Sequence, residues 1–312
     1  MTISDHLRTF GGRVVKDYDD KSRIKDPKGQ AVRISLSYAE FNDDDLYWED
    51  KLDKVLADPR VAELESMVIG PWEDVGSQDS EFIVELLVKH KDKLKNLQEI
   101  FFGDIVMEES ECSWIDHGDM SPLLSAFPKL THLAIRGCGG LSFASMEHSN
   151  LRSLVIQCGG LTASVIGSIR NAKLPNLEHL ELWLGEENYG GEFELDDLRP
   201  FVFEPLFPKL IYLGLKNSEV EDGIAALVAE SPILNRIKVL DLSMGTLSDK
   251  GGEALLSNPD LKNLEFLDLH HHYMTDPMVA RFNALGIKVC LDDKQEEELD
   301  DDEVWRFISV SE

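Results

Sequence analysis

One six-residue pattern returns along most of this chain and limits what the chain can fold into. The template is Leu-x-x-Leu-x-Leu, followed three residues later by a small or polar residue and then another apolar one. Its clearest copies are Leu210, Leu213 and Leu215 with Ser218 and Val220, and Ile237, Leu240 and Leu242 with Gly245 and Leu247. Leu264, Leu267 and Leu269 with His272 and Met274 form a third. Upstream, Leu151, Leu154 and Ile156 lead to Gly159 and Leu161, and Leu130, Leu133 and Ile135 precede Cys138, with Leu141 one place late. Leu177, Leu180 and Leu182 open another copy, Leu97, Ile100 and Phe102 a weaker one, and Leu64, Met67 and Ile69 a degenerate first. The starts fall at 64, 97, 130, 151, 177, 210, 237 and 264. Their steps centre on the 20–29 residue period of stacked strand-and-helix units.

The physics of the pattern is direct. Alternate residues of a strand point to one side, so the leucines of each Leu-x-Leu unit face inward and the residues between them face out. One such strand cannot bury its own apolar side, and stacking the copies gives a parallel sheet with a continuous core behind it. Helix-like segments lie between the strands. The segments 163–170, 249–256 and 276–282 follow the N-cap residues Thr162, Ser248 and Thr275. Residues 221–230 and 80–94 carry apolar residues at helical spacing. Pro128, Pro175, Pro208, Pro232 and Pro259 each stand a few residues before a strand, where proline stops the helix.

The blocks IKVLDLSMGTLSDKGGEALL and LEFLDLHHHYMTDPMVARFNAL resemble ribonuclease-inhibitor-type leucine-rich repeats. The chain is also similar to uncharacterised bacterial cytoplasmic leucine-rich-repeat proteins. The resemblance spans roughly 60–292 and implies an α/β solenoid, a curved horseshoe with its parallel sheet on the concave face and helices on the convex face. About eight repeats with terminal caps are expected. The family's Asn or Cys at the strand-end turn is here Cys138, Gly159, Ser218, Gly245 or His272, so the turns are expected to lack the usual side-chain ladder.

Residues 1–59 read as an N-terminal cap. Residues 31–38 alternate like a strand, and 43–57 carry Leu46, Trp48, Leu52, Val55 and Leu56 as an amphipathic helix. Residues 11–30 read as loop. Residues 293–312 read as an acidic linker and a last strand. The β-prone segment Val304–Val310 is expected to fold back on a sheet edge, the N-terminal strand being the candidate.

Composition sets the remaining bounds. The 312 residues allow one or two domains, and 43% apolar content excludes a disordered chain. No apolar run reaches the roughly 20 residues of a membrane span. A net charge of −28 repels phosphate, so nucleic acid and anionic membrane are poor partners. The first residues show no signal-peptide pattern, and Cys112, Cys138, Cys158 and Cys290 are too few and scattered for a disulfide framework. A cytoplasmic protein with reduced thiols is expected. No CxxC pair, phosphate loop, GxGxxG, GxSxG or HExxH motif occurs.

The outward residues form three rows. They are His132, Ser153, His179, Tyr212, Val239 and Phe266; then Ala134, Val155, Glu181, Gly214, Asp241 and Asp268; then Arg136, Gln157, Trp183, Lys216, Ser243 and His270. Aromatic residues and Arg anchor protein interfaces. This face is therefore expected to bind an unknown protein or peptide with a basic surface, with Trp183, Tyr212 and Phe266 as anchors. Arg136, Lys216, Glu181 and Asp241 would set register, and His179, Asp268 and His270 complete the face. No cofactor and no catalytic residue is assigned. Adjacent Asp241 and Asp268 should repel unless a cation intervenes, Lys216 and His270 being the candidates. His270, His271 and His272 cannot all converge on one ion, because successive strand residues point to opposite sides. Two alternatives stay open: a structural subunit of a larger cytoplasmic assembly, and a metal-dependent enzyme using Asp241, Asp268 and His270.

Overall fold

In this computed structural model the described residues are 3–19, 23–42, 45–300 and 303–311. They form two compact units, residues 3–157 with 171–175, and residues 158–170 with 176–311.

In the first unit seven strands pair in chain order. They are β1 (Thr9–Phe10), β2 (Arg13–Asp17), β3 (Gln30–Ile34), β4 (Ser66–Ile69), β5 (Glu99–Phe102), β6 (His132–Arg136) and β7 (Ser153–Gln157). The β1–β2 pair is antiparallel and every later pair is parallel. Between the strands run α1 (Tyr38–Asn42), α2 (Trp48–Leu56), α3 (Glu81–Lys89) and α4 (Ser121–Ala126). Residues 13–17 thus form a strand within the stretch read as loop. Positions 20–22 of that stretch and 43–44 of the expected helix lie outside the described residues.

The outward face of this unit is covered by the chain's own N-terminus. Ala31, Val68, Phe101 and Ala134 make a buried apolar row on neighbouring strands, and Leu7, Phe10, Val15 and Val155 pack against it. The Phe10 ring meets Phe101 edge-on at 5.6 Å. Asp104, wholly buried, holds the segment by accepting from the Leu7 amide (3.1 Å) and from Arg33 (2.9 Å).

In the second unit β8 (His179–Gly185), β9 (Tyr212–Ser218), β10 (Val239–Asp241), β11 (Phe266–Asp268) and β12 (Lys288–Cys290) pair in parallel, in chain order. Helices α5 (Ala163–Arg170), α6 (Leu195–Phe203), α7 (Glu221–Ala229), α8 (Asp249–Ser257) and α9 (Asp276–Asn283) alternate with them. A short antiparallel hairpin, β13 (Glu298–Asp300) and β14 (Glu303–Trp305), follows.

The inward leucines behave as the template requires. Leu180, Leu182, Leu213, Leu215, Leu240, Leu242, Leu267 and Leu269 are no more than 1% exposed. Burying one such side chain is worth about 1.5–3 kcal/mol, so every repeat contributes to one core. Carboxylates latch consecutive repeats at their helix starts. Asp222 accepts from the Ser248 amide (2.8 Å) and hydroxyl (2.6 Å), and Asp249 does the same for Thr275 at 2.8 Å each.

Two expectations are corrected. The strand-end turns do have side-chain bridges: Cys158 Sγ donates to Trp183 O, Thr246 Oγ1 to Glu219 O, and His272 Nε2 lies 3.2 Å from Leu291 O. Where Gly245 has no side chain to offer, its neighbour Thr246 takes over. The C-terminal segment folds back, yet its landing place is not the N-terminal strand. It crosses the exits of β9, β10 and β11, and part of the expected acidic linker is hairpin strand; positions 301–302 lie outside the described residues. Asn217 bonds both backbone groups of Val310, Ser309 N donates to Met244 O (2.8 Å), and Phe307 O meets His271 Nε2 (3.1 Å).

Candidate functional site

The outward side chains of β8–β11 do not stand as independent anchors but form one bonded network. Its centre is Gly214, whose register partners are Glu181 on one side and Asp241 on the other. Lacking a Cβ, Gly214 leaves room for the Tyr212 ring, which lies across it; a methyl there would meet the ring and hydroxyl at 3.0–3.1 Å. The Tyr212 hydroxyl thereby reaches both neighbouring strands. It is 2.6 Å from Asp241 Oδ2 and 3.2 Å from Glu181 Oε2.

Each carboxylate has further partners. Trp183 Nε1 donates to Glu181 Oε1 at 2.8 Å. Lys216 Nζ sits 3.1 Å from Asp241 Oδ2 and 3.8 Å from Glu181 Oε1. The Ser243 amide and hydroxyl donate to Asp241 Oδ1 at 3.1 and 2.6 Å. The His179 ring stacks on Tyr212, 3.9 Å between centroids, and its Nε2 lies 3.6 Å from Glu181 Oε2.

The electrostatics follow from these contacts. Burial would raise the Glu181 carboxyl, but His179, the Lys216 ammonium and the Trp183 indole outweigh it and hold the group at about 2. Burial, with two carboxylates facing the hydroxyl, keeps Tyr212 protonated far above its ordinary range. Lys216 loses hydration on burial, yet Glu181 and Asp241 raise its affinity for a proton above the ordinary value. One ammonium between two carboxylates leaves the cluster negative.

Asp268 lies beside Asp241 in register. Burial works to raise its carboxyl, but His270, whose Nδ1 is 2.8 Å from Asp268 Oδ1, and then Lys216 bring it below the usual value. The two side chains expected to stand beside Asp241 and Asp268, Lys216 and His270, are thus in place. His272 turns the other way and is wholly buried, while Phe266 stays half-buried on the outward face beneath the Lys288 ammonium, 4.7 Å from its ring centre.

Four of the ten expected binding residues need correction. Arg136 lies in the first unit, is 4% exposed, and donates to Ile105 O (2.8 Å) and Gln157 Oε1 (3.1 Å). Ile105 O and Gln157, with the wholly buried Asp104 3.8 Å away, take up its guanidinium, so it has none to offer a visitor. Trp183, Lys216 and Asp241 are buried at 8%, 8% and 4% exposure. The network's mutual bonds hold them in, so they shape the surface instead of anchoring a visitor. His179, Glu181, Tyr212, Phe266, Asp268 and His270 remain partly exposed. Sequence reasoning missed Gly214; the signal was a glycine standing in a row with Glu181, Asp241 and Asp268.

Among the described residues no disulfide forms; Cys112, Cys138 and Cys158 are buried thiols and Cys290 is half-buried. No helix among them is long and apolar enough to cross a membrane.

No protein-family model and no curated protein matches the chain. Among solved structures, an internalin of Listeria monocytogenes aligns at 14% identity over 78% of this chain and 57% of its own, with a TM-score of 0.40. A Bacteroides fragilis protein solved by the Northeast Structural Genomics Consortium aligns at 35% identity, covering 85% of this chain and 74% of that one, with a TM-score of 0.80. Such identity over such a span shows common descent with the Bacteroides protein, and by its own leucine rows and in-order parallel strands the chain belongs to the leucine-rich-repeat proteins.

Proposed function

We propose that the chain is a non-enzymatic module that binds a protein or peptide on the outward face of β8–β12. The observation that carries this reading is the Glu181–Gly214–Asp241 row. Tyr212, Lys216 and Trp183 fix its two carboxylates in place before any partner arrives. A negative surface held rigid loses little entropy on binding, which is what preorganisation contributes to affinity. The partly exposed rings of His179 and Phe266 flank the row and supply apolar contact. A partner segment presenting Lys or Arg beside an apolar side chain fits this arrangement, and the overall charge of −28 speeds its approach. The buried thiols of Cys112, Cys138 and Cys158 support a reducing, cytoplasmic setting.

The test is selection of peptides from a displayed random library on the intact chain, followed by affinity measurement. The double substitution His179→Ala with Phe266→Ala removes both flanking rings and retains the Tyr212, Trp183 and Lys216 contacts to the two carboxylates. Selected peptides should carry basic residues and lose about tenfold or more in affinity, about 1.4 kcal/mol. A library that yields no binder, or binders indifferent to the double substitution, refutes the reading.

A further inference from the structure

The last two repeat strands bring together a second set of donors that the peptide-binding reading does not use. β11 and β12 are in register, Leu267 opposite Val289 and Asp268 opposite Cys290. The ladder continues past both strands: Leu269 N donates to Cys290 O (3.0 Å) and His271 N to Asp292 O (2.9 Å). His270 therefore stands opposite Asp292. By the two-residue period of a strand, Asp268 and His270 share one face, and so do Cys290 and Asp292. Two potential ligand pairs thus lie side by side on neighbouring strands.

The distances suit one small ion. Ligand atoms of Asp268, His270 and Cys290 all lie within 4.8 Å of one another. Zinc binds thiolate sulfur at about 2.3 Å and carboxylate oxygen or imidazole nitrogen at about 2.0–2.2 Å. In a tetrahedron those lengths put sulfur and oxygen about 3.6 Å apart, and nitrogen and oxygen about 3.4 Å apart. Cys290 Sγ and Asp292 Oδ2 are already 3.6 Å apart. Asp268 Oδ1 and His270 Nδ1, now hydrogen-bonded at 2.8 Å, need to part by only about 0.6 Å. Asp268, His270 and Cys290 are all half-buried, so an ion can reach them without unfolding the strands.

Donor chemistry selects the ion. Calcium and magnesium take oxygen ligands and have no use for a thiol. A thiolate, an imidazole and two carboxylates suit zinc and its borderline neighbours. We propose that Asp268, His270 and Cys290 hold one zinc-class divalent ion, and that the exposed Asp292 carboxylate, outside their 4.8 Å group but 3.6 Å from Cys290 Sγ, turns in as the fourth donor of a tetrahedron. Four protein donors leave no open position, so the ion is structural and staples β12 to β11. It demands no peptide partner, and the peptide-binding face does not require it.

Cobalt(II) titration of the tag-free full-length chain, after chelation and dialysis, tests the site. One equivalent should give the visible bands of tetrahedral cobalt together with a thiolate-to-cobalt charge-transfer band, and zinc should displace both. Cys290→Ser should abolish the charge-transfer band with the circular dichroism spectrum unchanged, and His270→Ala should abolish tight binding. As a readout that needs no variant, zinc should protect Cys290 of the native chain from iodoacetamide. No charge-transfer band, a band that survives Cys290→Ser, or a Cys290 alkylated equally fast with zinc present overturns the proposal.

Discussion

Glu221 sits where a helix facing the core would ordinarily place an apolar side chain. It is the first residue of α7, has no exposed surface, and neither carboxyl oxygen finds a hydrogen-bond partner among the described residues. The space it fills is made by Gly245, whose absent Cβ would lie 2.3 Å from Glu221 Oε2. Burial, reinforced by the nearby Asp241 charge, raises this carboxyl well above its ordinary 4.5. In the folded chain it keeps its proton above that pH, whereas the unfolded chain releases it. Since the native state then binds more protons than the unfolded one, stability falls as pH rises above about 4.5. Glu221→Gln keeps the shape and removes the titration. The variant should be more stable than the parent by about 1–3 kcal/mol at pH 7, and the gain should vanish near pH 4. Urea unfolding of both chains at the two pH values checks this; an equal difference at both would show that the carboxyl does not titrate as described. Glu181 moves the other way. Its low folded value adds stability that is present above about 4.5 and is lost as pH falls towards about 2.

At the scale of elements, the sequence was legible wherever one strand's pattern decides its own burial. Each leucine copy from Leu64 to Leu264 opens a strand two residues further on, from Ser66 in β4 to Phe266 in β11. The starts of α5, α8 and α9 follow Thr162, Ser248 and Thr275 for the same local reason. What stayed hidden depends on partners far away in the chain. Phe10 covers Phe101, and nothing near either residue announces the other. Arg136 reads as an outward cation until its bonds to Ile105 O and Gln157 are seen. The C-terminal segment is sticky by composition, but its landing place is set by Asn217, Met244 and His271. These are equivalent positions of three repeats, each held at positive φ (54°, 70° and 57°). Left-handed backbone in a residue other than glycine costs about 1–3 kcal/mol, and the crossing segment offers these positions hydrogen bonds in return. Ile308 and Val310 are buried there at 7% and 4% exposure. Amide exchange should therefore show Ser309 and Val310 protected in the native chain. Asn217→Ala, which removes both bonds to Val310, should release the Val310 amide while strands β8 to β11 stay protected. A Val310 amide that already exchanges freely in the parent chain would mean that the segment does not dock there.

For the molecule as a whole, the imbalance of 59 acidic against 31 Lys and Arg residues cannot be paired away. Ion pairs such as Arg281–Glu253 and Lys238–Glu265 occupy exposed surface, where water screens them and each contributes little. Salt weakens those pairs, and it also screens the repulsion among the unpaired carboxylates. A net charge of −28 makes the second effect the larger, because the folded chain crowds that charge more than the unfolded one. Raising sodium chloride from about 0.01 M to about 0.15 M shrinks the screening length from about 30 Å to about 8 Å. The urea midpoint should rise over that interval, at constant pH. Chloride is the anion to use, since sulfate strengthens apolar burial by exclusion and would confuse the comparison. Association with a basic peptide should weaken over the same interval, because there the screened interaction is attractive. Stability and affinity moving in opposite directions with one variable is the signature of a charge distribution that opposes folding and favours a cationic partner. A midpoint that falls with added chloride would place the stability in the surface ion pairs instead.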